Sequence, residues 1–329
     1  MTTPPLDDLL ARLHVVAIPM RVPFRGVTTR EVALVEGPAG WGEFGPFLEY
    51  EPPEAARWLA AAIESGYDEW PAPQRTAVPV NATVPAVAAQ RVPGILARFP
   101  GCDTVKVKIG EPGQGRSDDV DRVAAVRDHL GPAGRIRVDA NGAFDVAAAT
   151  GLLARLAPYG IDYIEQPCAT VPELREVRRA LARGGLDIKV AADESIRKAE
   201  DPLRVARQQA ADLVVVKVAP LGGVRRALDI VDACGLPAVV SSALDTSVGI
   251  AAGVALAAAL PDLYGACGLG TLNLMAGDVT SDPLLPRDGT LPVCRPVPSA
   301  ELLQEYAVAP AREKWWRERV AACYPLLPA

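Results

Sequence analysis

The chain has 329 residues, half of them hydrophobic, which is enough for a large core in one barrel or two ordinary domains. Its 34 basic and 40 acidic residues leave a net charge of −6 with no basic cluster, which argues against a nucleic-acid partner. Six cysteines, no two within four residues, form no zinc or redox motif and read as free thiols, and two histidines, His14 and His129, are too few for a His-rich metal site or a Ser-His-Asp triad.

The start, MTTPPLDDLLARLHVV, lacks the basic stretch and apolar core of a secretion signal. HVVAIPM, TREVALVEG and GWGEFG read as three short strands of a meander. PPEAARWLAAAIESG reads as a helix, with prolines at its start and Gly66 just past its end. A proline-rich connection, WPAPQRTAVPV, leads to a second expected helix in VPAVAAQRVPGILARF. From Thr104 the pattern changes. The β-rich runs TVKVKIG, IRVDANG, YIEQP, DIKVAADES, DLVVVKVAP and PAVVSSAL alternate with helical stretches, which predicts βαβ units and a parallel sheet. YGACGLG is a candidate seventh strand, and TLNLM fits either state. SVGIAAGVALAAALPDL is too short to span a membrane and is ended by Pro261, so it reads as a buried helix. A cytoplasmic protein without a membrane partner is expected. The tail, with PAREKWWRERVAACY as a helix, should pack back on the first region. The expected division is an α+β domain over residues 1–100, joined by 290–329, and a barrel over 101–289.

Each β-rich run ends in a polar residue that an interior strand should avoid: Lys108, Asp139, Glu165, Asp193, Lys217 and the pair Ser241 and Ser242. From Lys108 to Lys217 the intervals are 31, 26, 28 and 24 residues, one βα unit each. In a closed parallel barrel such strand ends lie side by side, on the face that carries the active site. Five charged residues are thus expected at one mouth. Three carboxylates packed together repel, and a divalent cation relieves this. With so little histidine, the donors are hard oxygens and favour magnesium, with manganese as the variant. Val105, Val107 and Ile109 alternate with Lys106 and Lys108, so both lysines share one face. A lysine beside another cation loses its proton more easily. Lys108 is therefore the expected base, and Lys106 tunes it and helps neutralise an anionic substrate. Lys217 flanks the carboxylates from the other side. Taken alone, any one of these carboxylates would read as a helix cap or an ion-pair partner; the whole set at unit spacing points to chemistry.

KVKIG, RVDANG, YIEQP, AADES and VVVKVAP, in that order, resemble the enolase superfamily in its muconate-lactonizing subgroup, and VVSSALDTSVGI extends the likeness. The resemblance implies a modified TIM barrel, (β/α)7β, capped by an α+β domain built from the N-terminal region and the C-terminal tail. It implies that Asp139, Glu165 and Asp193 bind Mg2+ (or Mn2+), with Glu194 behind them. It also implies that a base removes the proton α to the carboxylate of a small-molecule substrate, with the cation stabilising an enediolate. Lys108 and Lys217 then face each other across the substrate. Arg137 and Asn141 stand two residues either side of Asp139. Alternation puts Arg137 on the same face, and Asn141 lies just beyond the strand; each is a candidate substrate contact or a support.

Four activities of the subgroup share this lysine pattern: o-succinylbenzoate synthase, N-succinylamino acid racemase, dipeptide epimerase and muconate cycloisomerase. YGACGLGTLNLMAGD lacks the acidic pattern of the epimerases. GLGTLNLM instead resembles a GLDTL stretch of the synthases, with Gly270 where an Asp usually falls, and SSALDTSVG resembles their serine-rich loop. The expected reaction is therefore a syn dehydration, with Lys108 as base and Lys217 stabilising the enediolate. Arg21 or Arg25, in MRVPFRG, is expected to meet the substrate's succinyl tail. GEPGQG lacks the glycine order of a dinucleotide loop. A non-enzymatic metal scaffold has no need of Lys108 and Lys217.

Overall fold

Three antiparallel strands begin the architecture. The computed structural model describes residues 3–24, 26–198 and 201–328. In it β1 (Leu13–Phe24), β2 (Val27–Gly37) and β3 (Gly40–Phe44) pair in the order β1-β2-β3, the expected meander. A short helix, Leu6–Ala11, precedes them and was not among the expected elements. Alternation sends the strand residues to two faces, and both are covered. Val16, Ile18, Val32 and Leu34 pack on Val248, Leu272 and Met275. Leu13, Val15, Ala33 and Val35 pack on the helix Pro52–Tyr67 and on Trp316 and Val320 of the tail helix Pro310–Cys323. The tail therefore joins this layer.

Gly66 lies inside the helix Pro52–Tyr67, not past its end as expected. Its neighbourhood explains the glycines: a Cβ on Gly37 would stand 2.1 Å from the Gly66 carbonyl oxygen, and one on Gly42 1.9 Å from that of Ala62. Missing side chains let the helix lie directly on the strand backbones.

The second sheet is parallel. After β4 (Ala77–Pro79), its strands are β5 (Ala82–Val84), β6 (Thr104–Lys108), β7 (Arg135–Asp139), β8 (Ile161–Glu165), β9 (Lys189–Ala192), β10 (Leu213–Val216) and β11 (Ala238–Val240), each paired to the next. Parallel bridges Ser241 to Gly268 and Val80 to Cys267 place the YGACGLG stretch between β11 and the first strand, which closes the curled sheet into a barrel. β12 (Thr290–Pro292) returns to pair with β4. Helices cover the outside, and the Ala-rich Ser247–Ala259 is buried along almost its whole length. Among the described residues no helix is long and apolar enough to cross a membrane. The six cysteines are free thiols.

The parallel sheet starts at Ala82, inside the range expected for the α+β region. Three-residue strands between prolines carry too little periodicity to announce themselves. The expected helices over 84–99 and 201–211 are shorter than drawn, Val92–Leu96 and Arg204–Arg207.

Candidate active site

Register puts the charged residues together. Lys108 lies opposite Asp139, and Asp139 opposite Glu165, while Asp193 and Lys217 immediately follow β9 and β10. All five are buried. Lys106 starts one layer lower, opposite Arg137, and reaches upward. Its ammonium donates to both oxygens of Glu165, at 3.2 and 3.0 Å, and stands 3.5 Å from Asp139 Oδ2. Lys108 donates to Asp139 Oδ2 and, at 2.7 Å, to Asn141 Oδ1. Lys217 donates to Asp193 Oδ2, and Arg197 to Asp193 Oδ1 at 3.1 Å. The row of three carboxylates is thus bracketed by Lys108 at one end and Lys217 at the other.

The electrostatics follow from burial and these partners. Burial works against the Asp139 charge, but Lys108 and then Lys106 outweigh it and hold the carboxyl well below the usual range. Asp193 is likewise lowered, against burial, by Lys217 and Arg197. Glu165 goes the other way: burial first, then the Asp139 charge, push it up to about 7 in spite of Lys106. Burial also opposes the Lys106 ammonium, yet Glu165 and Asp139 keep its pKa above the ordinary lysine value.

Three carboxylates, without histidine or cysteine, are the donor set of a hard divalent cation. Among the described residues no three such groups stand as an ion-holding cluster, and each carboxylate is paired instead to a lysine or arginine. The raised Glu165 registers the repulsion from Asp139 and Asp193 that a cation would relieve. The residues therefore fit the group.

The polar row opens on a cleft of about 40 Å3, lined among others by Phe24, Phe47, Lys106, Lys108, Asp139, Asn141, Lys217, Ser241, Ser242 and Thr271. The Phe24 ring centroid lies 5.2 Å from Lys108 Nζ, so an aromatic wall adjoins the lysine. Ser242 Oγ is 2.7 Å from Thr271 Oγ1.

Asn141, with φ 47°, bridges Lys108 to Glu194, whose Oε1 accepts from Asn141 at 3.2 Å and from Arg197 at 2.6 Å. Arg137 and Gly270 stand away from the cleft. Arg137 does share the interior face of Asp139, but one layer deeper: each guanidinium nitrogen donates to protein, to Asp162 Oδ2 at 3.1 Å and to the Ala266 and Tyr264 carbonyls. It plugs the barrel floor and does not reach the cleft. Gly270 does not line the cleft either; its Cα is wedged where a Cβ would meet the Asn81 carbonyl at 3.0 Å, and the next residue, Thr271, faces the cleft. Arg21 donates to the Ala276 carbonyl at 3.3 Å and lines a separate groove. Arg25 lies outside the described residues. From MRVPFRG it is Phe24 that reaches the site.

Sequence reasoning passed over Gln166 and Arg197. Gln166, at φ 38°, accepts from the Asp193 and Ser195 N–H groups at 3.0 and 3.2 Å and donates to Ser195 Oγ at 2.8 Å. It fixes β8 to the turn that carries Asp193. Its signal was its place inside YIEQP. Arg197 was legible as the residue four after Asp193, one helical turn away.

An enolase C-terminal domain-like family model matches residues 94–298, and an enolase N-terminal domain-like model matches 15–66. The chain is 58% identical over 325 residues to the o-succinylbenzoate synthase of Mycobacterium tuberculosis, covering 98% of this chain and 97% of that one. It is equally similar to the o-succinylbenzoate synthase of Mycolicibacterium smegmatis, at 58% identity and 98% of both chains. Among solved structures, muconate lactonizing enzyme from Pseudomonas putida superimposes with TM-score 0.74 at 21% identity, over 90% of this chain and 98% of that one. The L-Ala-D/L-Glu epimerase from Bacillus subtilis does so with TM-score 0.71 at 21% identity, over 87% and 96%. These two share the fold.

Proposed function

The chain belongs to the enolase superfamily, among its o-succinylbenzoate synthases, and from that premise we infer how its residues divide the work. The activity is that of a carbon–oxygen lyase, and the family name places it in menaquinone synthesis. The substrate, 2-succinyl-6-hydroxy-2,4-cyclohexadiene-1-carboxylate, loses water and its ring becomes aromatic.

Asp139, Glu165 and Asp193 would hold Mg2+, which supplies positive charge opposite the substrate carboxylate. Lys108 is the base. It removes the proton on the carbon bearing that carboxylate, leaving an enediolate, and returns the proton to the departing hydroxyl, so water leaves and no co-reactant is needed. Lys106 stays an ammonium two residues away, which lowers the cost of a neutral Lys108. Lys217, at the far end of the row, stays charged and stabilises the enediolate. Asn141 orients Lys108 through its 2.7 Å contact, and Gln166 orients the turn of Asp193. Phe24 and Phe47 give the ring an apolar wall. In this reading the antiparallel layer and the returning tail form the cap, and the closed parallel sheet forms the catalytic domain.

The observation that carries this reading is the bracketing of three carboxylates by two lysines from opposite ends of the row. The test follows loss of the diene absorbance by purified protein with magnesium, with and without chelator. Rapid, chelator-sensitive loss is expected. Slow loss that the chelator leaves unchanged would refute the assigned roles.

A further inference from the structure

One cluster of buried charge lies outside the carboxylate row. Glu43, on β3, is buried against the barrel. Its Oε2 accepts from the Thr246 N–H at 3.0 Å, from the Thr246 hydroxyl and from the Gly249 N–H at 3.2 Å. A side chain of the cap thereby gathers the first turn of the helix Ser247–Ala259. Arg30, on β2, donates through Nε to the Leu244 carbonyl at 2.9 Å and through Nη2 to that of Gly45. Asp245 completes the group and accepts from the Ala243 N–H at 3.0 Å. One cation and two carboxylates are thus buried together.

The segment they hold is the one that walls the cleft. Ser241, Ser242, Ala243 and Leu244 all line it. Leu244 has φ 63°, in the left-handed region that a branched apolar residue avoids. Such a residue persists where its surroundings over-determine it, and here those surroundings are cap side chains. Behind the wall, Glu43, Trp58, Lys217, Ser241 and Asp245 help to line a second cavity of about 20 Å3, room for one water. Glu43 Oε1 and Trp58 Nε1 are both buried with no hydrogen-bond partner among the described residues. Unpaired buried polar atoms are costly, so two of them lining one water-sized space is a meaningful coincidence.

We propose that Glu43 and Arg30 are positioning residues: from the cap they lock residues 241–244 in the strained form that shapes the substrate wall, and one water between Glu43 and Trp58 completes the lock. The inference rests on reading the cleft as the active site.

Two readouts test it, amide hydrogen exchange over 241–246 without substrate, and kcat with KM on the diene. E43A should speed exchange in that segment at least tenfold and raise KM at least tenfold, with kcat within threefold, because the wall positions substrate and the lysines stay in place. E43Q, which keeps the shape and an acceptor, should restore both to within threefold of wild type. An E43A protein whose segment exchanges at the wild-type rate overturns the lock, whatever its turnover. Should E43A not fold, T246V removes the hydroxyl that donates to Glu43 and also caps the Val248 N–H, so exchange is read over 241–244, ahead of the helix, where it should speed about threefold; no change there overturns the lock equally. A wild type inactive on the diene, with the segment loosened in E43A, would sink the active-site reading and support the lock.

Discussion

The barrel interior holds two polar layers, one strand step of two residues apart, and they behave differently. In the floor, Arg137 is enclosed by Asp162, Tyr163 and Tyr264, its guanidinium carbon 4.9 Å from the Tyr163 ring centroid and each nitrogen bonded to protein. At the mouth, Lys106, Lys108, Lys217 and Arg197 share three carboxylates, and the row opens on a cleft. Both layers are buried charge. The floor is closed and every guanidinium nitrogen of Arg137 is bonded, which suits structure. At the mouth, burial and then the neighbouring Asp139 charge push Glu165 up to about 7, which suits exchange of partners and protons.

The comparison breaks most sharply through activity. K108A should lower kcat by about 10³-fold or more with the fold intact by circular dichroism, the scale of a lost general base. R137M should do the reverse: it removes the cation paired with Asp162, leaving that carboxylate the Tyr264 hydroxyl, and should cost about 3 kcal/mol of stability, read by urea unfolding, with kcat of the folded fraction held within about threefold. If R137M abolished turnover without loss of stability, the floor would be part of the chemistry and the distinction would fall.

Metal addition sharpens the same contrast. Saturating Mg2+, at about 100 times its Kd, should stabilise the protein by roughly 2.7 kcal/mol, seen as a raised Tm. E165Q should lose that shift and R137M should keep it. A shift surviving in E165Q would move the cation elsewhere.

A pH effect concerns the contact between cap and barrel. Burial first, then Asp245, raise Glu43 to about 8, against Thr246 and Arg30. Its folded pKa thus lies above the unfolded value, so the folded state binds the proton more tightly. That stabilisation is complete below the ordinary glutamate pKa and is lost as pH rises through about 8. Melting temperature should therefore decline from about pH 5 to about pH 8, and E43Q should flatten the decline. An equal slope in E43Q would assign the effect to another group.

Much of the mouth was legible before any fold was known. Lys108, Asp139, Glu165, Asp193 and Lys217 are charges closing β-rich runs at regular spacing, and a parallel barrel converts that spacing into adjacency. The layer occupied by Arg137 was not legible. Alternation reports which face a side chain takes, and only inter-strand register reports its depth. β5 escaped notice because three residues between prolines carry no period, and Gly270 misled because its backbone neighbours come from distant segments.

By itself the sequence determined the alternation of strands and helices, the meander that precedes them and the identity of the charged strand ends, because these are local properties of period, turn chemistry and burial. Only the tertiary structure decided which charges pair, how deep each sits, and that Glu43 and Arg30 of the cap reach across to the loop after β11. Those contacts join residues about 200 positions apart. No local pattern encodes them, since they exist only once the closed sheet and its cap bring the two segments into one buried volume.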